Sequence, residues 1–374
     1  MRLHNQLLFL TTLVVAFISG WCGRHEPPKP ANTVSALVNE LKSTAPRRLQ
    51  AGLGEEVTFF PTYGYREGDD WKINIRGWAH QNRSHLNKIV TKLMTAIATV
   101  KDKCDSAELA NFQSRSNDFE DDDKSLEKVI IKFDSDPDAQ LFEFNKRSDA
   151  NGIVELDLTL TDERAKQLLA SEKSTNGWLT FSAVSDGHTG RGRIRLIEPE
   201  GLSLISDIDD TIKESNVGNR RELLANTVLR EFRCIDGMAE LYRAWAAKGA
   251  AFHYVSSSPW QLFDPIHQWT SSDGFPAGTL HLRTFRLRDQ VIRRKANAKR
   301  RKRQAIATML KVFPRRKFIL IGDSGERDPE IYGKMCEKYG DRIAAVFIRD
   351  LENQRLGSQR FKKMKSLARP TARR

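Results

Sequence analysis

Cysteine is scarce. Cys22, Cys104, Cys234 and Cys336 are scattered through 374 residues with no CxxC pair. That spacing excludes a disulfide framework and a cysteine-ligated zinc site, and leaves the four as small apolar side chains. Also missing is an apolar run of the roughly 20 residues that a membrane-spanning helix needs. The nearest approach, Leu7–Ile18, follows Arg2 and His4 and is trailed by Ser19 and Gly20. This pattern is expected to be a secretory signal or an uncleaved anchor within residues 1–22, so that the protein is exported to the periplasm or exterior or tethered to a membrane. Trp21, where a small residue is needed, argues against lipid attachment at Cys22. Acidic charge is in deficit: Asp+Glu number 48 against 61 Lys+Arg, for a net charge of +13. The partners are therefore expected to be anionic, whether membrane surface, phosphorylated substrate or nucleic acid.

With 39% hydrophobic residues the chain is well able to bury a core, and its length suits two domains. Residues 23–55 read as a linker, punctuated by Pro27, Pro28, Pro30 and Pro46, in which Val34, Leu37, Val38 and Leu41 mark one short amphipathic helix. Residues 56–199 carry short strand patterns beginning at Val57, Trp71, Val129, Gln140, Val154, Trp178 and Gly192. Val154, Leu156, Leu158 and Leu160 alternate with Glu155, Asp157 and Thr159, as in a strand with one wet face. About seven such strands predict an all-β, sandwich-like domain. Inserted in it, Leu86, Ile89, Val90, Leu93, Ile97 and Val100 predict a helix over Ser84–Lys103. Asp118–Asp123 lacks the glycine and distant glutamate of a calcium loop and reads as a solvated acidic turn.

From residue 200 to 352 the pattern becomes α/β. Strands are expected at Leu202–Ile208, Ala251–Val255, Lys317–Ile321 and Ile343–Ile348. Helices are expected at Gly237–Lys248, Trp260–Thr270, Arg301–Val312 and Pro329–Tyr339. That alternation makes a parallel sheet with helices on its faces. Three of the strands end in polar residues at one sheet edge, where open α/β sheets place their chemistry. These are Asp207 and Asp209, then Ser256–Ser258, then Asp323 within GDSGERD. Oxygen ligands paired in this way suit a hard divalent cation such as Mg²⁺.

The combination SDIDDTIK, VSSSPWQL and GDSGERDPEIY, with a lysine on the intervening helix, resembles the haloacid dehalogenase superfamily of aspartate-dependent phosphatases. Within it, the wording is similar to the actin-patch-type phosphatidate phosphatases. The resemblance implies a Rossmann-like parallel sheet and an Mg²⁺-dependent hydrolysis of phosphatidate to diacylglycerol and phosphate. It implies that Asp207 is the nucleophile that forms an aspartyl-phosphate and that Asp209 is the acid/base. Thr211 orients the motif loop, Ser256 binds a phosphoryl oxygen and Lys302 supplies positive charge. Asp207, Asp209 through its backbone carbonyl, Asp323 and Asp328 form the metal site. The spacings from Thr211 to Ser256 and from Ser256 to Lys302 are filled by elements already assigned, which leaves no room for a large cap and predicts an open cleft.

Between Arg283 and Arg303 basic residues crowd around a single acid, Asp289, and residues 353–374 form a second basic tail. Near an anionic bilayer each exposed cation contributes about 1 kcal/mol, so phosphatidate in such a membrane is the expected partner and nucleic acid is not. The alternatives are a phosphatase acting on a phosphoprotein or nucleic-acid end, and a non-catalytic module gripping anionic surfaces. A glycosyltransferase reading of DxD leaves GDSGERD and Lys302 without a role.

Overall fold

The structure, a computed structural model, describes residues 55–81, 128–219, 222–283 and 294–351 apart from one- and two-residue breaks, with short pieces between 107 and 123. The expected leader, nearly all of the linker, the Ser84–Lys103 helix and the 353–374 tail lie outside the described residues, as do residues 284–293 of the basic run. Among the described residues no helix is long and apolar enough to cross a membrane.

The first part of the chain forms one ten-stranded mixed sheet. Its elements are β1 (Glu55–Phe60), β2 (Thr62–Glu67), β3 (Asp70–Gln81), β4 (Asp122–Asp123), β5 (Ile130–Phe133), β6 (Phe142–Glu143), β7 (Ile153–Leu160), α1 (Asp162–Ser171), β8 (Trp178–Ala183), β9 (His188–Thr189) and β10 (Arg191–Leu196). Strand β3 organises the sheet. One edge pairs with β7 over Trp71–Trp78, and the other takes β2 and then β1, which Pro61 separates. Proline has no N–H to give a ladder, so an interruption belongs there. The alternation in β7 is as expected, with Val154, Leu156, Leu158 and Leu160 buried and the polar residues between them exposed. Apolar side chains from β1, β3, β5, β7, β8 and β10 share a single core with Phe59, Phe181 and Ile194 inside it.

Two expectations are corrected here. This region is not all β, because α1 crosses from β7 to β8 and buries Ala165 and Leu168 in the same core. Thr161 caps it by accepting from the Arg164 amide, and Asp162 and Glu163 occupy the first turn, where the positive end of the helix dipole favours them. The acidic stretch at Asp118–Asp123 is not purely a turn either, since Asp122 and Asp123 pair with β3.

The second sheet is five-stranded and wholly parallel, in the order β13-β12-β11-β14-β15. Its elements are β11 (Leu202–Ser206), α2 (Met238–Ala246), β12 (Ala251–Pro259), α3 (Phe263–Ser272), β13 (Thr279–Arg283), α4 (Arg294–Val312), β14 (Lys317–Asp323), α5 (Asp328–Tyr339) and β15 (Ile343–Arg349). The mixed α/β class with a parallel sheet is as predicted. The fifth strand, β13, was not anticipated, and α4 starts seven residues before the expected Arg301. Helices α4 and α5 cover one face around Ile306, Leu310, Tyr332 and Met335. Helices α2 and α3 cover the other around Tyr242, Ile266 and Trp269.

The two sheets meet along β13. The Leu280 amide donates to the Pro61 carbonyl at 3.0 Å, Phe60 packs edge-on to Phe263, and Trp78 lies 6.3 Å from Trp260. Arg316 closes the seam by donating to the carbonyls of Glu198, Glu200 and Leu202 and to the Ser203 hydroxyl.

Candidate active site

Strand β11 is apolar and buried on both faces, so its backbone is committed to the ladders on either side. The first residue beyond it, Asp207, still donates its amide to the Ile321 carbonyl at 2.9 Å, which fixes the carboxylate at the C-terminal edge of the sheet. The turn that follows is built by Asp210, which adopts a left-handed backbone with φ 54°. Its carboxylate accepts from three successive amides, Ser215 at 2.8 Å, Asn216 at 2.7 Å and Val217 at 2.6 Å. Arg349 at the end of β15 donates to the Asp210 carbonyl at 2.9 Å. Thr211, expected to orient this loop, is buried with a hydroxyl that has no hydrogen-bond partner, so the orienting work falls to Asp210.

Four of the sequence-predicted residues converge directly. The Lys302 ammonium stands 2.9 Å from Asp207 Oδ1 and 2.5 Å from Asp328 Oδ1. Asp207, Asp323 and Asp328 each bring an oxygen within 4.8 Å of the others. Asp323 Oδ1 accepts from the amides of Gly325 at 2.6 Å and Glu326 at 3.0 Å, while Oδ2 is buried without a partner. Asp328 begins α5, where the helix dipole favours an anion. Gly322 makes the approach possible, since a Cβ there would stand 2.2 Å from Asp328 Oδ2. Lys302 is distinguished within its basic run by burial: its neighbours Arg300 and Arg301 are exposed.

Asp209 faces a different set of partners. Its Oδ1 receives Lys213 at 3.0 Å and the Ser215 hydroxyl at 2.7 Å. Its Oδ2 receives Ser258 at 2.8 Å and Ser256 at 3.2 Å. These partners are distinct from those of Asp207, Asp323 and Asp328. Ser257 donates to Glu326 at 3.0 Å, so the three serines after the buried part of β12 link two loops.

The electrostatics separate the acids. Burial pushes Asp207 well above the usual carboxylate range; Lys302 pulls it down, while Asp328, Glu326 and Asp323 raise it further. Burial and the neighbouring Asp328 push Asp323 up to about 7. Burial also acts on Asp209, but Lys213 and the hydroxyls of Ser215 and Ser258 outweigh it and hold that carboxyl at about 2. For Lys302 burial opposes the charge, yet Asp207 and Asp328 keep the ammonium well above the ordinary lysine range. Three crowded carboxylates with one ammonium and unpartnered oxygens on Asp207 and Asp323 are a donor set short of positive charge, which fits a divalent cation held by oxygen.

Asp210, Lys213, Ser215 and Glu326 were not singled out from sequence. Lys213 is in plain view in SDIDDTIK, four residues after Asp209, but that spacing alone does not distinguish a buried partner from a solvated one. The Arg220–Arg230 stretch is described only in part, and Ala225–Leu229 within it is a single π-helical turn. Among the described residues no cap domain stands between β11 and α4.

Residues 202–350 match the family described as Phosphatidate phosphatase APP1, catalytic domain. The Phosphatidate phosphatase APP1 of Saccharomyces cerevisiae is 38% identical over 163 residues, which are 42% of this chain and 27% of that protein. An uncharacterized protein of Schizosaccharomyces pombe is 33% identical over 181 residues, 47% of this chain and 30% of that protein. The chain therefore aligns with less than a third of the length of either relative.

Proposed function

We propose, from the premise that residues 202–350 belong to the APP1 phosphatidate phosphatase family, that this chain is a cation-dependent phosphatase converting phosphatidate to diacylglycerol and phosphate. The observation that carries the reading is Asp207. It is a fully buried carboxylate at the end of a central parallel strand, with an unpartnered oxygen, a lysine at 2.9 Å and two further acids beside it.

Asp207 attacks phosphorus and becomes an aspartyl-phosphate, which water then hydrolyses, the two-step route of the haloacid dehalogenase superfamily. A carboxyl pushed up by burial is a poor nucleophile until positive charge offsets its neighbours. Lys302 supplies part of that charge. Asp207, Asp323 and Asp328 would hold a divalent cation such as Mg²⁺, which would supply the rest of that charge. Ser256, at the end of the buried part of β12, offers its hydroxyl to a phosphoryl oxygen once it releases Asp209. Asp209, ionised at about 2, relays the proton of a monoanionic phosphate ester to the departing glycerol oxygen and takes one from the attacking water.

A site over which no cap domain stands among the described residues would admit a phosphate carried on a large body, and the net positive charge favours an anionic bilayer as that body. The expected export or anchoring belongs to this proposal. The test is phosphate release from phosphatidate liposomes, with Mg²⁺ and with chelator, by the purified chain and by Asp207→Asn. Release that needs Mg²⁺ and vanishes in the variant is expected. Undiminished release by the variant sinks the mechanism, and a preference for phosphorylated oligonucleotides or phosphopeptides over liposomes sinks the substrate.

A further inference from the structure

We infer that Arg349 is a positioning residue that holds the loop carrying Asp207 against the loop carrying Asp323, and so sets the affinity of the site for its divalent cation. The assignment rests on the cation-dependent reading above.

Strand β15 lies at the edge of the parallel sheet, and its last residue, Arg349, stands opposite Asp323 on β14. Two loops leave the sheet at this level, one after β11 and one after β14. Between them they gather Asp207, Asp323 and Asp328, with an oxygen of each within 4.8 Å of the others. Carboxylates this close repel one another. Within the sheet the ladder keeps the strands in place, but beyond its edge the loops need ties of their own, and the end of β15 supplies them to both.

Toward the first loop the Arg349 side chain crosses the end of β14, and Nη1 donates to the Asp210 carbonyl at 2.9 Å. Asp210 is the hub of that loop, with its left-handed backbone and the amides of Ser215, Asn216 and Val217 on its carboxylate. Toward the second loop the Arg349 carbonyl accepts the Ser324 amide at 3.0 Å. The Ser324 hydroxyl donates to Asp350 at 3.2 Å and accepts the Leu351 amide at 2.9 Å. Leu351 and Val217 then close on Gly325 from the two sides, since a Cβ there would stand 2.7 Å from each. The residue after the last strand residue Asp323 is thus fastened to the same short segment that grips Asp210.

The sign of one measurement separates the roles Arg349 could have. A guanidinium near a cation site repels the cation, so losing a mere bystander would tighten binding. Losing a prop for the fold alone would lower Tm without cation and leave the affinity where it was. Losing a residue that keeps two ligand-bearing loops together weakens binding, and partners that orient metal ligands are typically worth tenfold or more in affinity.

Isothermal titration calorimetry of the full chain with Mg²⁺, in phosphate-free buffer at fixed ionic strength, reads that sign directly. Arg349→Met is expected to raise the dissociation constant about tenfold. Arg349→Lys keeps the charge and a donor for the Asp210 carbonyl, and should fall between Met and wild type. Ser324→Ala unties the second loop from Asp350 and Leu351 with no change of charge, and should raise the constant several-fold. Unchanged or tighter binding by Arg349→Met overturns the assignment; should that variant fail to fold, Ser324→Ala binding as wild type does overturns it. A wild type that binds no Mg²⁺ overturns the cation reading and this inference together. A wild type that binds Mg²⁺ but releases no phosphate from phosphatidate overturns only the phosphatase reading, since the affinities still decide the role of Arg349.

Discussion

Lys302 and Asp328, both buried, meet at 2.5 Å, the lysine reaching in from α4 and the aspartate standing at the first turn of α5. The pair ties together two helices on the same face of the parallel sheet, and the same ammonium reaches Asp207. Removing one member of a buried ion pair costs about 3–5 kcal/mol because the other is left uncompensated. Lys302→Met is expected to lose roughly that much stability in urea unfolding and to lose phosphate release altogether. Adding Asp328→Asn should recover part of the stability but none of the activity. A single variant as stable as the parent would contradict the geometry.

Crowded acids make a second expectation. A cation binding only the folded protein at a hundred times its dissociation constant adds about 2.7 kcal/mol, which for a protein of this size raises Tm by about 3–4 °C. Mg²⁺ should produce such a shift in the wild type and little of it in Asp323→Asn. Asp323 is pushed up to about 7, above its unfolded value, so its charge destabilises the cation-free fold progressively as pH rises from about 4 through 7. At pH 8 without cation, Asp323→Asn should therefore melt no lower than wild type. Calorimetry with and without chelator measures both effects.

The histidines between the sheets titrate in the opposite sense. Burial, and then Arg76, push His281 down to about 4; burial, and then His281, Arg316 and Arg195, push His253 well below its usual value. Each is neutral when folded and takes a proton when unfolded, so its contribution is present above about pH 6.5 and falls as pH drops toward 4. The raised Asp207 and Asp323 pull the whole-protein slope the other way, so a difference between variants isolates the effect. The stability of wild type relative to His281→Gln should decline by about 1.4 kcal/mol per pH unit between roughly pH 6 and 4.5. A difference that stays constant over that range would refute the neutral assignment.

The catalytic strands were legible because a buried parallel strand has to be apolar and the acids after it have no place in a core. The same contrast marked Asp207, Asp323 and Asp328. Strand β13 escaped notice because Thr279, His281 and Arg283 look solvent-facing until β1 and β2 cover them. Helix α1 escaped because two buried apolar residues, Ala165 and Leu168, are too few to show a helical period, although its cap was spelled out at Thr161. Asp210 was hidden in another way. Three amides from later in the chain choose it as their acceptor, and nothing in DxDxT says which aspartate will turn inward.

Arg316 sets the practical boundary for anyone dissecting this chain. The homologous segment begins at residue 202, yet the guanidinium that seats β14 beside β11 draws two of its acceptors from Glu198 and Glu200, and Phe313 just before it rests on Tyr63 and Tyr65. A fragment cut where sequence similarity starts would keep every acid of the site, but would bare those aromatic contacts and leave a buried cation with half its grip.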